Sequence, residues 1–291
     1  MKNKVKHNSY FNTLLLVFPI SVMLIFVQCQ RNKAGHEGMV LVPGGTLTTI
    51  EPLNSHMINI NIESFLIDKD LVTVADFEAF VNATGYVTEA ERFGNSGVFD
   101  FEEFGWKIME GANYRYPFGP QGSRAQSDHP VTQVSWNDAN AYAQWRGKRL
   151  PTQWEWEWVA KNASNSDQRY TWGESLTEGS LFKANVWQGS FPYINTEEDG
   201  FLTTSPVGYF GRNALGVSDM GGNVWQWCED DIHPTAQEQH IDPGKRKVIR
   251  GGSFLCDPKV CHGYRVTGRA SSTPESGMVH IGFRCAKSIK L

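Results

Sequence analysis

The chain has 291 residues, of which 40% are hydrophobic and 20% are charged. This composition supports a sizeable core and excludes a disordered chain, and the length fits one large domain or two small ones. The 10 Trp and 28 Gly residues indicate a loop-rich fold with aromatic anchors rather than a helical bundle. The net charge of −4 becomes −7 without the three lysines of residues 1–28, so nucleic acid is not expected as a partner.

The N-terminal segment has the pattern of an export signal. Lysines near the start precede an apolar run over Leu14–Val27 that is too short for a comfortable membrane span. The run leads to Cys29, and the sequence there resembles a bacterial lipoprotein cleavage box, although Gln28 departs from the usual small residue. We expect residues 1–28 to be a lipoprotein signal peptide, residues 29–37 to be a tether, and the protein to be exported and anchored in the cell envelope through Cys29. An ordinary signal peptide and an uncleaved anchor are the alternatives.

Strand patterns dominate the start of the domain, which we expect to span residues 38–288. Met39–Val42 is apolar and runs into Pro43-Gly44-Gly45, which predicts a strand and a turn. Met57–Ile62 alternates isoleucine with asparagine, the pattern of a half-buried strand, and Phe65–Ile67 extends the sheet.

Three helices are predicted from their capping signals, in which Ser or Thr precedes an acidic residue by three positions. The predicted helices are 73–83, 136–146 and 152–161, with caps at Thr73, Ser135 and Thr152. The tryptophans of the third helix, Trp154, Trp156 and Trp158, do not lie on one helical face, so some must face other elements or a groove. Between the first two helices, Gly94 to Pro130 is expected to be long and irregular, and such loops are more often functional than idle.

Two cysteines lie five positions apart, just after a double glycine. Cys256 and Cys261 flank a loop containing Pro258, and Gly251-Gly252 permits a close backbone approach. Thiolates bind Cu(I), Zn(II) or a second sulfur, so the pair predicts a metal or redox site. A structural disulfide in an exported protein explains the spacing equally well. If Cys29 carries a lipid, the four remaining cysteines allow three pairings, and sequence alone does not choose among them.

Two loop segments are rich in oxygen ligands. The first segment contains Asn185, Asn195 and Asp199, and the second contains Asp219, Gly222, Asn223 and Gln226. Amide, carboxylate and carbonyl oxygens suit Ca²⁺, but the spacing is not that of an EF-hand, and turn chemistry is an alternative explanation. Neither a Gly-rich phosphate loop nor a zinc-protease motif is present.

Several sequence blocks occur in an order that resembles the formylglycine-generating enzymes, also called sulfatase-modifying factors. The blocks are Phe80-Val81-Asn82-Ala83-Thr84-Gly85-Tyr86, His129-Pro130-Val131, Val134-Ser135-Trp136-Asn137-Asp138-Ala139, Gly147-Lys148-Arg149-Leu150-Pro151-Thr152, Ala184-Asn185-Val186-Trp187-Gln188-Gly189, Gly222-Asn223-Val224-Trp225, Gly251-Gly252-Ser253 and Gly282-Phe283-Arg284-Cys285. The resemblance runs from about Met39 to Ala286. It implies a single-domain α/β (α+β) fold with low regular secondary structure, related to C-type lectins.

The same resemblance implies an activity. It implies oxidation by O₂, with a thiol reductant, of the cysteine in a Cys-x-Pro-x-Arg segment of an unfolded sulfatase polypeptide to Cα-formylglycine. Cys256 and Cys261 match the two active-site thiols that hold copper, as Cu(I), and Ser253 matches a serine beside them. The alternative function is that of a non-catalytic lectin-like binding protein or structural lipoprotein with the same fold. Such a scaffold needs neither thiol, so the cysteine pair favours the enzyme.

The resemblance also implies two sets of metal ligands, and the sequence differs from the family pattern at several positions. Asn185, Val186, Asp199 and Phe201 match a first calcium site, and Asp219, Gly222, Val224 and Gln226 match a second. In the second site Asp219 stands for the usual Asn and Gln226 for the usual Glu. Val260 and His280 replace a common Tyr and Asn near the thiols. Ala143 and Ala160 stand where some members have cysteines, which leaves Cys228 as the predicted disulfide partner of Cys285.

Overall fold

Strands from both ends of the domain meet in one sheet in this computed structural model, which describes residues 38–51, 56–232 and 245–289. Strand β1 (Met39–Val42) pairs antiparallel with β4 (Phe65–Asp68), and β4 pairs antiparallel with the last strand, β15 (Ala286–Ser288). The predicted strands at 39–42 and 65–67 are confirmed. The predicted leader (1–28) and tether (29–37) lie outside the described residues.

The other regular elements are four helices, four two-stranded hairpins and one larger sheet within those residues. The helices are α1 (Val74–Thr84), α2 (Glu89–Phe93), α3 (Trp136–Trp145) and α4 (Gln153–Ala160). The hairpins pair β2 (Gly45–Ile50) with β3 (Met57–Ile62), β5 (Asn95–Asp100) with β6 (Gly105–Glu110), β7 (Thr177–Glu178) with β8 (Leu181–Phe182), and β9 (Gly189–Ser190) with β10 (Ile194–Asn195).

The larger sheet carries the cysteine loop. Its strands are β11 (Trp225–Ile232), β12 (Arg246–Arg250), β13 (Arg269–Ser272) and β14 (Ile281–Gly282), in the spatial order β13-β12-β11-β14. Strands β11, β12 and β13 pair antiparallel, and β14 pairs parallel with β11. The connection from β12 to β13, residues 251–268, contains both Cys256 and Cys261.

The three predicted helices are confirmed to within two residues, and each begins with a capping box at Thr73, Ser135 or Thr152. A fourth box at Thr88 starts the short α2, which was not predicted. The prediction that 94–130 is irregular is wrong for its first part, because β5 and β6 form a hairpin there. Glycine and polar residues give β5 little strand propensity of its own, so its pairing partner decides the structure.

The core contains two main clusters of buried residues. One is aromatic and includes Phe77, Phe80, Tyr142 and Phe283, with Phe77 and Tyr142 stacked at 5.9 Å between ring centroids. The other surrounds Trp156 and Trp158 of α4. The α4 tryptophans do face different elements: Trp156 donates to Gln226, and Trp158 donates to the carbonyl oxygen of Pro43. The α+β, single-domain fold with little regular structure is confirmed.

Candidate active site

The cysteine loop is narrow at its base, where one close backbone contact and one close ring contact leave no room for side chains. Gly251 and Gly252 have φ values of 96° and 67°, in the left-handed region that favours glycine. A Cβ atom on Gly252 would lie 2.6 Å from the backbone nitrogen of Tyr264, and a Cβ on Gly263 would overlap the Trp225 ring. The outgoing and returning arms of the loop therefore touch, and this contact brings the two cysteines together.

Cys256 and Cys261 are joined as a disulfide with 5.0 Å between their Cα atoms. Cys256 is buried at 2% exposure, whereas Cys261 is only half-buried. The sulfur of Cys256 accepts a hydrogen bond from the Ser253 backbone N–H at 3.4 Å, and the sulfur of Cys261 accepts one from the Gly263 N–H at 3.4 Å. Backbone donors thus orient both sulfurs toward each other at the edge of the molecule.

Asp257 holds the turn that returns Cys261 to Cys256, and sequence reasoning missed it. Its buried carboxylate accepts the N–H groups of Phe191 at 3.0 Å and Lys259 at 2.7 Å. Its carbonyl oxygen accepts the Cys261 N–H at 2.8 Å. An Asp directly before a proline is a turn signal that could have identified this residue.

Ser253 is fully buried beside this turn. Its hydroxyl oxygen accepts the Leu255 N–H at 3.3 Å, which leaves the hydroxyl proton without an acceptor in the part of the chain that the structure describes. Ser253 can therefore donate a hydrogen bond to an oxygen or sulfur atom that enters the site.

The first predicted calcium set contains one buried oxygen that lacks a donor within the part of the chain that the structure describes, whereas another of its members, the Val186 carbonyl, accepts from the Gln188 side-chain nitrogen. The side-chain oxygen of Asn185 is buried and has no hydrogen-bond donor among the described residues, while its nitrogen donates to the carbonyl of Thr203. The Asp199 carboxylate accepts the N–H groups of Val186 and Phe201, both at 3.0 Å. Burial raises the pKa of Asp199. A buried carboxylate and an orphaned amide oxygen are ligand types that a hard cation takes.

The second predicted set is occupied by a protein cation. The Gln226 side-chain oxygen accepts hydrogen bonds from Trp156 at 2.9 Å and Arg284 at 2.8 Å, so both lone pairs are used. The Gln226 nitrogen, a donor, points at the Asp219 carbonyl oxygen at 2.7 Å. The guanidinium of Arg284, fully buried, also donates to the carbonyls of Asp68 and Ser218. The Gln226 oxygen and the Asp219 carbonyl are therefore already engaged, and these hydrogen bonds do not favour Ca²⁺ at the second set.

The first calcium set is connected directly to the cysteine loop. The Trp187 N–H donates to the Cys256 carbonyl at 3.2 Å, and the Phe191 N–H donates to Asp257. The rings of Trp187 and Phe191 pack edge to face at 5.2 Å. An ion that orders residues 185–201 would therefore also hold the cysteine loop in place.

The predicted disulfide between Cys228 and Cys285 is wrong, because both cysteines are free and buried. Cys228 belongs to the core cluster around Trp156, whereas Cys285 belongs to the aromatic cluster. Burial raises the pKa of both thiols, which keeps them protonated. Ala143, where some family members have a cysteine, is buried in the same cluster as Cys285.

Val260 and His280, the two other positions that differ from the family pattern, lie in different surroundings. Val260 is 66% exposed on the cysteine loop. His280 packs against the half-exposed Trp106 at 4.7 Å between ring centroids, and its Nδ1 has no partner among the described residues. A cavity of about 370 Å³ adjoins Phe254 and His129, but neither cysteine lines it. The cysteine pair is therefore separate from that cavity.

Across residues 38–51, 56–232 and 245–289, no helix is long and apolar enough to cross a membrane. The same residues contain no group of three or more His, Cys, Asp or Glu side chains placed to hold a metal ion.

Comparisons with known proteins identify the family. The sulfatase-modifying factor enzyme 1-like domain matches residues 26–289. A formylglycine-generating enzyme of Streptomyces coelicolor is 44% identical over 254 residues, 80% of this chain and 81% of that protein. The Mus musculus protein named inactive C-alpha-formylglycine-generating enzyme 2 is 36% identical over 308 residues, 96% of each chain. The solved structure of PvdO from Pseudomonas aeruginosa has the same fold, with a TM-score of 0.63 at 24% identity over 86% of this chain and 94% of that one. The chain therefore belongs to the formylglycine-generating enzyme, or sulfatase-modifying factor, family.

Proposed function

We propose that the protein is a copper-dependent oxidase that converts the cysteine of a Cys-x-Pro-x-Arg segment in an unfolded sulfatase to Cα-formylglycine, using O₂ and a thiol reductant. One observation carries the proposal: Cys256 and Cys261 converge in a loop where Cys256 is buried and Cys261 reaches the surface. The printed name of the Streptomyces relative supports the reaction class.

The cysteine pair suits Cu(I), which is soft and accepts two thiolate ligands. Reduction of the disulfide frees both sulfurs, and copper, when bound, supplies the electron transfer that activates O₂. The sulfurs of Cys256 and Cys261 would hold the copper, and the half-buried Cys261 leaves this pair within reach of a substrate thiol. The unused hydroxyl proton of Ser253 would orient that thiol, or an oxygen atom, by a hydrogen bond.

The overall reaction balances with an external reductant. The substrate thiol loses hydrogen from its β-carbon, and the resulting thioaldehyde hydrolyses to the aldehyde and H₂S. O₂ accepts four electrons and four protons, two of each from the substrate and two of each from two reductant thiols that become a disulfide, and is reduced to two waters. Hydrolysis of the thioaldehyde consumes one water, so one water is released per turnover. The protein itself is unchanged after each turnover, with the cysteine pair reduced.

We also propose that Ca²⁺ binds the first predicted set, Asn185, Val186, Asp199 and Phe201, and supports the cysteine loop structurally. The orphaned Asn185 oxygen and the buried Asp199 carboxylate support this ion. The family resemblance also predicts Ca²⁺ at the second set, but the hydrogen bonds of the Gln226 side chain do not favour it.

The test is to incubate copper-loaded protein with a Cys-x-Pro-x-Arg peptide, O₂ and dithiothreitol. Mass spectrometry and hydrazide capture should detect the aldehyde product. Cys256→Ser and Cys261→Ser should each abolish turnover, because each removes one sulfur ligand. Cys228→Ala, which removes a buried thiol outside the site, should retain turnover if its melting curve shows a folded protein.

Two results would support the non-catalytic alternative instead. One is that copper-loaded wild-type protein produces no aldehyde. The other is that either serine variant keeps full activity, which would mean that the cysteine pair only links the loop. The Mus musculus relative is named an inactive formylglycine-generating enzyme, so the family includes proteins that are named as lacking the reaction.

A further inference from the structure

Two arginines lie directly opposite each other in the larger sheet. Arg250, the last residue of β12, is the register partner of Arg269, the first residue of β13. Directly opposed residues of antiparallel strands share one face of the sheet, and like charges in this arrangement repel. Arg250 is fully buried and Arg269 is half-buried. The sheet thus holds two neighbouring guanidinium groups where repulsion is poorly screened.

Carboxylates do not balance these charges. Glu157 accepts a hydrogen bond from the Nη2 of Arg250 at 2.8 Å, and its other oxygen lies 3.4 Å from Lys161. One buried carboxylate therefore serves two cations. Arg269 has no ion pair among the described residues, because the nearby Asp230 carboxylate accepts instead from the backbone and side chain of Gln153. Burial and the charge of Arg250 lower the pKa of Arg269 to about 10.

The edges of the two guanidinium groups are also unsatisfied. Nε and Nη1 of Arg250 and Nε of Arg269 are buried without any acceptor in the described part of the chain. The Arg250 guanidinium stacks over Trp156 at 5.0 Å, and that of Arg269 stacks over Trp154 at 4.8 Å. The tryptophans hold the planar faces and leave the N–H edges free. Buried donors of this kind need a partner.

We propose that a small monovalent anion of the halide class binds between the guanidinium groups of Arg250 and Arg269. An ordered water would accept the same N–H groups but would leave the excess positive charge in place. An anion satisfies the donors through charge-assisted hydrogen bonds and also removes the repulsion. The half-buried Arg269 provides the entrance, and the fully buried Arg250 limits the ligand to a small ion.

This site is independent of the proposed reaction and stabilises the sheet below the cysteine loop, because Arg250 directly precedes Gly251. It should act on stability in a saturable way, since an ion that binds only the folded state raises the melting temperature by mass action. At a tenfold excess over its dissociation constant, the ion should raise the melting temperature by about 3–6 °C.

The test uses full-length protein in sodium gluconate, with gluconate replaced stepwise by bromide or chloride at constant ionic strength. The wild-type melting temperature should rise and saturate. Arg269→Gln should lose this response, because it removes one side of the site. Arg265→Gln, the same charge change on a nearby half-buried arginine, should keep it.

Anomalous diffraction from bromide-soaked wild-type crystals provides a second readout that needs no variant. A bromide peak between the Arg250 and Arg269 guanidinium groups is expected. If the melting temperature does not depend on which anion is present, and the density at this position is that of water, the proposal is overturned. A response that Arg265→Gln removes and Arg269→Gln retains would also overturn it.

Discussion

Replacing Asp199 by asparagine separates calcium binding from ordinary packing at the first predicted site. The carboxylate of Asp199 accepts two N–H groups, from Val186 and Phe201, in a buried position. Asparagine has nearly the same shape but lacks the charge and one acceptor oxygen. Asp199→Asn should therefore weaken the fold in any buffer and, in addition, remove the response to calcium.

The two effects differ in size and in their dependence on the ion. A buried N–H group that loses its acceptor costs about 1–3 kcal/mol, with or without calcium. Calcium at a hundredfold excess over its dissociation constant stabilises the wild-type fold by about 2.7 kcal/mol. For a domain of this size, that corresponds to a rise in melting temperature of about 5–10 °C.

The assay is thermal melting in EDTA and in excess Ca²⁺, followed by tryptophan fluorescence. The matched control is Glu198→Gln, which removes an adjacent, exposed carboxylate whose one hydrogen bond within the described residues is from the Thr196 hydroxyl. Wild type and Glu198→Gln should both show the full calcium-dependent rise. Asp199→Asn should melt lower in EDTA and gain little from calcium.

Two outcomes would refute this reasoning. If wild-type protein melts identically in EDTA and Ca²⁺, and elemental analysis finds no calcium, then no ion binds here. If Asp199→Asn keeps the full calcium-dependent rise, the ion binds elsewhere, and the orphaned oxygen of Asn185 has another partner.

Three further predictions concern the surroundings of the site. Wild-type protein should bind one equivalent of calcium, because at the second set the Gln226 nitrogen, a donor, faces the Asp219 carbonyl and the Arg284 guanidinium contacts the Gln226 oxygen. Two equivalents in wild type, measured by equilibrium dialysis, would contradict the contacts. Burial lowers the pKa of His280 to about 3, so between about pH 6.5 and 3 the unfolded chain binds more protons and stability falls as the pH drops. His280→Asn should flatten this decline in denaturant titrations, and an unchanged slope would contradict it. Asp257→Ala should reduce peptide oxidation at least tenfold, because the Phe191 and Lys259 N–H groups lose their acceptor. Full turnover by this variant would show that the turn between Cys256 and Cys261 forms without the Asp257 carboxylate.

Local chemistry made the helices predictable. Each capping box links residues three positions apart, so Thr73 with Asp76, or Thr152 with Glu155, defines a helix start whatever the rest of the chain does. The apolar pattern of Met39–Val42 likewise predicted its strand. The cysteine pair was identifiable because a five-residue separation brings its members together through a single turn.

Long-range packing decided the features that the sequence did not reveal. The hairpin at 95–110 depends on pairing with β6, because the first half of β5, Asn95-Ser96-Gly97, has little strand preference of its own. Cys228 and Cys285 remain apart because different core clusters bury them. Gln226 looked like a cation ligand until folding placed the Arg284 guanidinium, 58 residues later in the chain, against its oxygen. The sequence by itself determined which groups could bind metals and cap helices, whereas only the tertiary structure decided which of those groups had already been satisfied by distant partners.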